Sequence, residues 1–197
     1  MTLRRTLYAL GALALFAGGG VAWWLVSPLF LTKTVREGFP LGAEAILPGG
    51  MGRQEAEAMM AGLSKLRLEM REPMPASSDQ PRRLRAGAFR DGDAFHKGSG
   101  QALLYRLPDG SHLLRLENLN VTNGPALHVY LVRHADPQKR ADVTGDGFVD
   151  LGRLKGNIGE QNYPLPPGAG PAAYGSVVIF CRPFQVIFSV VSLKDAR

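Results

Sequence analysis

The residues with the clearest chemical potential in this chain of 197 residues are its one cysteine and two of its four histidines. Cys181 lies in the apolar, β-branched and aromatic run VVIFCRPFQVIF at residues 177–188. His96 occurs in FHKGSG and His128 in ALHVYL. Cysteine and histidine bind copper and haem iron, and a thiol also undergoes redox exchange. Redox chemistry is therefore the class of function that these residues suggest.

Cys181 admits two interpretations that the residues alone leave open. In an extended strand its side chain shares a face with Val177 and Ile179, while Arg182 lies on the opposite face. The apolar neighbours are expected to raise the pKa of the thiol, and the guanidinium is not expected to lower it. The first interpretation is a structural thiol, packed as a small apolar side chain. The second is a thiol that ligates a metal or haem, or that exchanges with a partner outside the cell.

The two histidines are ligand candidates only if they converge on Cys181, which the sequence does not show. His96 and His128 are otherwise expected to be hydrogen-bonded core or turn residues. The chain has no CxxCH motif for covalent haem and no CxxC pair for zinc, and one cysteine excludes an internal disulfide. The sequence therefore predicts a redox candidate at Cys181 with His96 and His128 as neighbouring candidates. It leaves the metal and the cofactor unknown, with haem and copper both chemically compatible.

Two motifs that would indicate other functions are incomplete. The glycines around Ser99 do not form the GxSxG nucleophile motif, and no nucleophile, base and orienting group can be named together. The run DVTGDGFVD at residues 142–150 resembles the start of an EF-hand loop, but Arg153 stands where a glutamate is required. We therefore predict an acidic turn there and no catalytic residue. Whether the chain is an enzyme stays open, although a redox carrier or binding domain fits better.

The N-terminal residues predict a membrane anchor. Arg4 and Arg5 precede a predominantly apolar run that carries no charge before Lys33, which is long enough to cross a bilayer as a helix. A cleavable signal peptide is the alternative, but the apolar run continues past the small residues FAGGG through VAWWLVSPLFL. We assign residues 1–32 to a cytoplasmic tail and a single transmembrane helix. A short N-terminal tail normally stays in the cytoplasm, so the remainder is expected on the periplasmic or extracellular side.

The formal net charge of +6 does not predict nucleic-acid binding, because the basic residues are spread along the chain and interleaved with acidic ones. A solvated basic surface that favours anionic lipid headgroups is the better interpretation. The lipid bilayer and a redox partner in the cell envelope are thus the expected partners.

Residues 33–83 are predicted to be a linker with one helix. Turn-forming residues flank a segment without proline, for which we predict a helix over about 53–70. Its apolar residues recur at three- and four-residue steps, which indicates one buried stripe. We expect a stalk helix that folds onto the domain or lies near the membrane. The stripe consists of Ala56, Met59, Met60, Leu63, Leu66 and Met70.

Residues 84–197 have the pattern of an all-β domain. Short alternating segments are separated by turn signals, such as LPDGS around Asp109 and Gly110, and no room is left for crossover helices. The pattern predicts a β-sandwich of about seven to nine antiparallel strands.

Three stretches of this domain also carry a family resemblance. FHKGSGQALLYRLPDGSHLLRLENLNVTNGPALHVYL, LKGNIGEQNYPLP and SVVIFCRPFQVIFSV are similar to the electron-transfer "DM thirteen" family, over residues 84–193. That family occurs in animal Skeletor-type proteins beside DOMON domains and in bacterial membrane-anchored proteins. The resemblance implies a β-sandwich outside the cytoplasm and a redox role for a cysteine that falls at Cys181.

Two functional hypotheses follow from these observations. The first is a membrane-anchored extracytoplasmic domain with an electron-transfer or thiol redox role centred on Cys181. The alternative is a non-enzymatic binding or scaffolding module of the cell envelope in which Cys181 is buried and structural. Reactivity of the thiol, or a chromophore bound to it, would distinguish the first hypothesis from the second.

Overall fold

A computed structural model describes residues 45–75, 80–145 and 147–196. The predicted cytoplasmic tail and anchor at residues 1–32, and the first part of the predicted linker, lie outside these ranges. Within the three described ranges, no helix is both long and apolar enough to cross a membrane.

The described residues form a mostly β structure with few helices. Two α-helices and one short 3₁₀ helix accompany ten strands. The helices are α1 (Arg53–Leu63), α2 (Arg140–Thr144) and the 3₁₀ turn Pro171–Ala173. The strands are β1 (Glu69–Arg71), β2 (Arg82–Asp91), β3 (Gly98–Arg106), β4 (His112–Val121), β5 (Leu127–Val132), β6 (Phe148–Arg153), β7 (Ile158–Pro164), β8 (Ser176–Cys181), β9 (Val186–Ser192) and β10 (Lys194–Asp195).

All ten strands belong to one curled sheet with the order β1-β7-β4-β3-β2-β9-β8-β5-β6, and β10 pairs with β2. Neighbouring strands are antiparallel except β1 and β7. The long strand β2 joins the two halves, because residues 82–88 pair with β3 and residues 89–91 pair with β9. The all-β prediction is confirmed. The number and arrangement of the strands differ from the expected two packed sheets, since β2 makes the sheet continuous.

Alternation along β5 and β8 places apolar side chains on both faces of the sheet. Ile179 and Cys181 lie on the face that packs into the main core. Val178 and Phe180 lie on the opposite face, where Val143 of α2 covers a smaller apolar cluster. These central strands are thus buried on both sides, which explains why their sequence reads as a continuous apolar run.

Helix α1 packs onto the main core through Ala56 and Met60, both fully or almost fully buried. Of the predicted apolar stripe, Ala56 and Met60 are therefore confirmed as buried, whereas Met59 is 37% exposed. The predicted end of the helix near residue 70 is wrong, because the helix stops at Leu63.

Long-range contacts explain the early end of α1. The backbone nitrogen of Leu68 donates to the side-chain oxygen of Asn157 at 2.7 Å, which pulls the chain away from a helical path. Residues 69–71 then pair with β7 as the parallel strand β1. The residues after α1 thus belong to the sheet, although their spacing also suits a helix.

Side chains on β7 hold the β6–β7 connection in place. The Tyr163 hydroxyl accepts a hydrogen bond from the backbone nitrogen of Lys155 at 3.1 Å and lies 2.8 Å from the Gln161 side-chain oxygen. The amide nitrogen of Gln161 donates to the carbonyl oxygen of Gly156 at 2.6 Å. The connection is therefore fixed by buried side chains instead of a backbone ladder.

Candidate functional site around Cys181

Cys181 is the last residue of β8, and its side chain has no solvent exposure. It stands opposite Leu127 on β5 and Val186 on β9 in the strand register. Both neighbours belong to the same apolar core. The thiol is thus buried among apolar side chains, as the first of the two interpretations expects.

A short loop before β5 covers the thiol. We call residues 123–126 the strap. The Sγ atom of Cys181 donates a hydrogen bond to the carbonyl oxygen of Pro125 at 3.2 Å. The next residue, Ala126, has a φ of +45°, a left-handed conformation that residues with a Cβ seldom adopt. The strap therefore holds an uncommon backbone conformation while it supplies a hydrogen-bond acceptor to the thiol.

The strap is also packed tightly against the core. A Cβ added at Gly124 would lie 2.5 Å from the ring of Phe188 and 3.3 Å from the side chain of Leu127. Only glycine fits at this distance, since real Cβ contacts are longer. The strap is thus fastened on two sides, at Cys181 and at Phe188.

Burial changes the acidity of the thiol. Loss of water around Cys181 raises its pKa from 9.0 to about 12, and a hydrogen bond from the backbone of Phe184 lowers it by a smaller amount. The expected upward shift of the pKa is confirmed. At neutral pH the group is a protonated thiol, and the thiolate is the form that attacks disulfides or binds metals. Chemistry at Cys181 therefore requires the strap to move.

His128 lies on the face of the sheet opposite to Cys181. It is paired with Phe180 in the β5–β8 register, one position away from the Leu127–Cys181 pair, so its side chain points the other way. Its Nδ1 atom is 2.9 and 3.0 Å from the two carboxylate oxygens of Asp150. The guanidinium of Arg182 lies 3.6 Å from the same carboxylate. His128 is therefore a nearly buried member of a polar cluster on the other face of the sheet, and it does not converge on the thiol.

His96 is a buried turn residue between β2 and β3. Its Nδ1 atom lies 2.7 Å from one carboxylate oxygen of Asp93, whose other oxygen accepts hydrogen bonds from the backbone nitrogens of Phe95 and His96. Its ring packs on Phe188 with a centroid distance of 4.1 Å. Burial lowers the pKa of His96, and the Asp93 carboxylate opposes that shift. The side chain thus anchors its own turn and packs on Phe188, the ring that also lies against the strap.

These three residues do not fit a common copper or haem site in this arrangement. Cys181 bonds to a backbone carbonyl, and each histidine directs Nδ1 at an aspartate. Among the residues that the structure describes, no group of three or more histidine, cysteine, aspartate or glutamate side chains is placed to hold a metal ion. The described groups around the thiol are apolar side chains, the carbonyl oxygen of Pro125 and the backbone N–H group of Phe184, which do not fit a copper or haem site.

Sequence reasoning missed an aromatic stack behind Cys181 on the opposite face of the sheet. The Tyr130 ring stacks on Phe148 at 4.4 Å and on Phe180 at 5.2 Å between centroids. Burial raises the pKa of Tyr130, and the Asp150 carboxylate adds to the effect. The alternation of β5 and β8 places Tyr130 and Phe180 on one face, but the contribution of Phe148 depends on how β6 pairs with β5.

Comparison with known proteins gives one result. A family model described as "Electron transfer DM13" matches residues 89–193, just over half of the chain. That range includes the strap and Cys181 as well as His96 and His128. No curated protein and no solved structure matches the chain.

Proposed function

Because the chain belongs to the electron transfer DM13 family, we propose that it is a redox domain in which Cys181 is the reacting group. The family match over residues 89–193 carries this proposal. Cys181 is the only cysteine in the chain, so any thiol redox role of the domain falls on it.

The chemistry available to a single thiol is exchange with a partner disulfide. The Cys181 thiolate attacks one sulfur of the partner, a new S–S bond forms, and the old S–S bond breaks with release of the partner's other sulfur as a thiolate. The proton of Cys181 passes to water. The partner disulfide is itself the oxidant of Cys181, so the exchange needs no further oxidant. No second cysteine resolves the product within the chain, so the mixed disulfide lasts until another thiol attacks it.

Opening of the strap is the step that this proposal requires. Cys181 bonds to Pro125 and is fully buried, so a partner sulfur reaches it only after that hydrogen bond breaks. Solvation of the site also restores the ordinary acidity of the thiol, because burial is the main cause of its raised pKa. Strap opening thus controls both access and the fraction of thiolate.

Trapping of the mixed disulfide tests the proposal. The full chain in detergent is incubated with glutathione disulfide at pH 8 without denaturant, and the mass of each chain is followed over time. Attachment of one glutathione, at a rate above that of global unfolding, is expected. The Cys181→Ala variant is the control and gains no mass. Attachment that occurs only as fast as the whole chain unfolds contradicts a redox role for the thiol.

A binding or scaffolding module with a structural cysteine is the second candidate. Complete burial of Cys181 and its hydrogen bond to Pro125 favour this function, since inert thiols share these features. The trapping experiment separates the two candidates. A thiol that reacts no faster than the chain unfolds supports the scaffold, and work then turns to the surface of the sheet.

We also propose that residues 1–32 anchor the domain in a membrane, with residues 33–197 outside the cytoplasm. The uncharged apolar run before Lys33 supports this proposal. Membranes that carry the full chain are washed with alkaline carbonate, and the chain is expected to stay in the pellet. A variant that lacks residues 1–32 is expected in the supernatant. Release of the full chain by the wash contradicts the anchor.

A further inference from the structure

We propose that the segment from the last residue of α1 onward, residues 63–68, docks on an anionic lipid bilayer together with the groove beside it. This lipid contact is additional to the N-terminal anchor, and it rests on the proposed membrane location of the domain. We call the segment and the groove the docking surface.

The segment presents apolar and basic side chains in alternation. Leu66 is 49% exposed and Leu68 is 52% exposed, although a leucine in a folded chain is normally buried. Lys65 and Arg67 are exposed beside them. Leucine next to lysine and arginine is the composition of protein surfaces that lie in the headgroup region of a membrane.

The exposed leucines are part of a larger apolar surface. Leu63, Leu66 and Leu68 line a groove of about 380 Å³. Its other apolar lining residues are Pro125, Ala126, Leu127 and Leu154, so the strap over Cys181 forms part of the groove. Scattered exposed leucines need no explanation, but a continuous apolar surface usually marks an interaction site. The groove gives lipid chains a place beside the leucines.

The charges around this surface select an anionic partner. Lys65 and the groove residue Arg153 form no ion pair with any carboxylate in the described part of the chain, and Arg67 donates to the neutral side chain of Asn120. Glu69, the next acidic residue along the chain, is paired with Arg71 at 2.7 Å, and Asp91, which shares a pocket with Arg67, is paired with Lys97 at 2.9 Å. The rim is therefore positive, and each such residue beside an anionic bilayer strengthens binding by about five-fold.

The position of the segment in the chain favours a bilayer over a protein partner. The described part begins at Ala45, which follows the apolar N-terminal run after a short linker. A domain tethered so closely to a membrane meets the lipid surface at high local concentration. Even a weak lipid contact is then populated, and it would hold the domain in one orientation.

A spin label at position 66 tests the docking surface. Leu66→Cys is introduced in a Cys181→Ala background of the full chain, labelled with a nitroxide and reconstituted in vesicles with or without an anionic lipid. In anionic vesicles the label is expected to collide more with oxygen, which enters the bilayer, than with a water-soluble nickel complex. In zwitterionic vesicles it is expected to remain accessible to nickel. A label that is accessible to nickel in both anionic and zwitterionic vesicles overturns the proposal.

Charge reversal supplies the matched control. Lys65→Glu with Arg67→Glu is expected to lower the ratio of docked to undocked label by more than about 25-fold, because each substitution removes the five-fold contribution of a basic residue and adds a carboxylate that the anionic lipid repels. Arg82→Glu with Arg83→Glu changes the net charge equally on an exposed part of β2 and is expected to leave docking unchanged. An equal loss with both pairs would mean that net charge alone acts, and it would overturn the assigned surface.

Flotation of the same chains separates this proposal from the anchor. Flotation with both kinds of vesicle and a label that stays in water would support the anchor and refute the docking surface. Flotation only with anionic vesicles, with a buried label, would support the docking surface and refute the anchor. A label shielded from both oxygen and nickel would indicate contact with protein and would also refute lipid docking.

Discussion

The Sγ atom of Cys181 lies 3.2 Å from the carbonyl oxygen of Pro125, so the only thiol of the chain is bonded to the loop that covers it. The solvent exposure of the thiol, its pKa and its accessibility to a partner therefore all depend on the position of this loop. In this arrangement the thiol has no solvent exposure, and because burial raises its pKa to about 12 it is protonated at neutral pH. Movement of Pro125 would change all three properties together, which makes the strap the element to perturb.

We first predict that Gly124→Ala loosens the strap. The added Cβ would lie 2.5 Å from the Phe188 ring, so the loop must shift, and we expect a loss of about 1–3 kcal/mol in the free energy of unfolding. The reaction of Cys181 with glutathione disulfide should become faster. Urea unfolding and mass spectrometry measure the two effects. Gly170→Ala is the control, because nothing lies within 4 Å of a Cβ at Gly170, and it should change neither quantity.

We next predict that Cys181 contributes to a loss of stability at alkaline pH. The folded pKa of about 12 exceeds the ordinary value of 9.0, so above pH 9 the unfolded chain releases a proton that the folded chain retains. This contribution to stability is complete below pH 9 and falls as the pH rises toward 12, by about 1.4 kcal/mol per pH unit. Tyr130 and Tyr163 act in the same direction, because their pKa values are also raised.

The Cys181→Ala variant isolates the contribution of the thiol. Unfolding free energies of both chains are measured by urea titration at pH 8 and pH 10. Between pH 8 and pH 10 the free energy of unfolding should decrease by about 1.4 kcal/mol less in the variant than in the natural chain. Some decrease should remain in the variant, because both tyrosines are still present. Equal decreases in the two chains would show that the thiol ionises normally in the folded state, and hence that the strap is open much of the time.

Local patterns predicted most of the strands and the faces of the residues around Cys181, although β1 lies where a helix was predicted. Alternation around β8 placed Cys181 and Arg182 on opposite faces, and in the structure the first is buried while the second is 57% exposed. The Asp109–Gly110 turn signal also holds, because Gly110 has a φ of +84° and the Asp109 carboxylate accepts a hydrogen bond from the Ser111 backbone. Such features depend on neighbouring residues, so a single sequence is sufficient to find them.

Contacts between distant residues account for what the sequence could not predict. The end of α1 is set by Asn157, which lies 89 residues from Leu68. The strap over Cys181 comes from Pro125, 56 residues earlier in the chain. Whether His128 can reach the thiol depends on the β5–β8 register, because a shift by one residue would reverse its face. None of these pairings leaves a periodic signal in the sequence.

We also predict that Tyr163→Phe weakens the β6–β7 connection. The hydroxyl accepts a hydrogen bond from the Lys155 backbone nitrogen and lies 2.8 Å from the Gln161 side-chain oxygen, both in the buried gap between strands. Its removal should lower the free energy of unfolding by about 1–2 kcal/mol in urea titration. Tyr105→Phe is the control, because the Tyr105 hydroxyl has no hydrogen bond among the described residues. An equal cost at both positions would contradict a specific role for the Tyr163 hydroxyl.

Our last prediction concerns acid pH and the turn that carries His96. Burial lowers the pKa of His96 in the folded chain below its ordinary value of 6.5. At a pH between the folded pKa and 6.5, the unfolded chain therefore binds a proton that the folded chain does not bind. This contribution to stability is complete above pH 6.5 and is lost as the pH falls toward the folded pKa. Burial tends to raise the pKa of Asp93, but its hydrogen bonds with His96 lower the pKa overall, so its contribution is lost only below about 3.8.

Urea titrations between pH 7 and pH 5 should therefore show a falling free energy of unfolding in the natural chain. His96→Asn keeps a side-chain amide within reach of Asp93 but cannot be protonated, so its stability should change less over this range. His112→Asn removes an imidazole from the start of β4 and should behave as the natural chain does. His96 packs on Phe188, and Phe188 lies against the strap, so protonation of His96 should also loosen the strap. The rate constant of the reaction of Cys181 with glutathione disulfide, divided by the fraction of thiolate expected at each pH, should then increase. If the free energy of unfolding falls at acid pH but the corrected rate of the Cys181 reaction does not rise, then protonation of the His96 turn does not affect the strap.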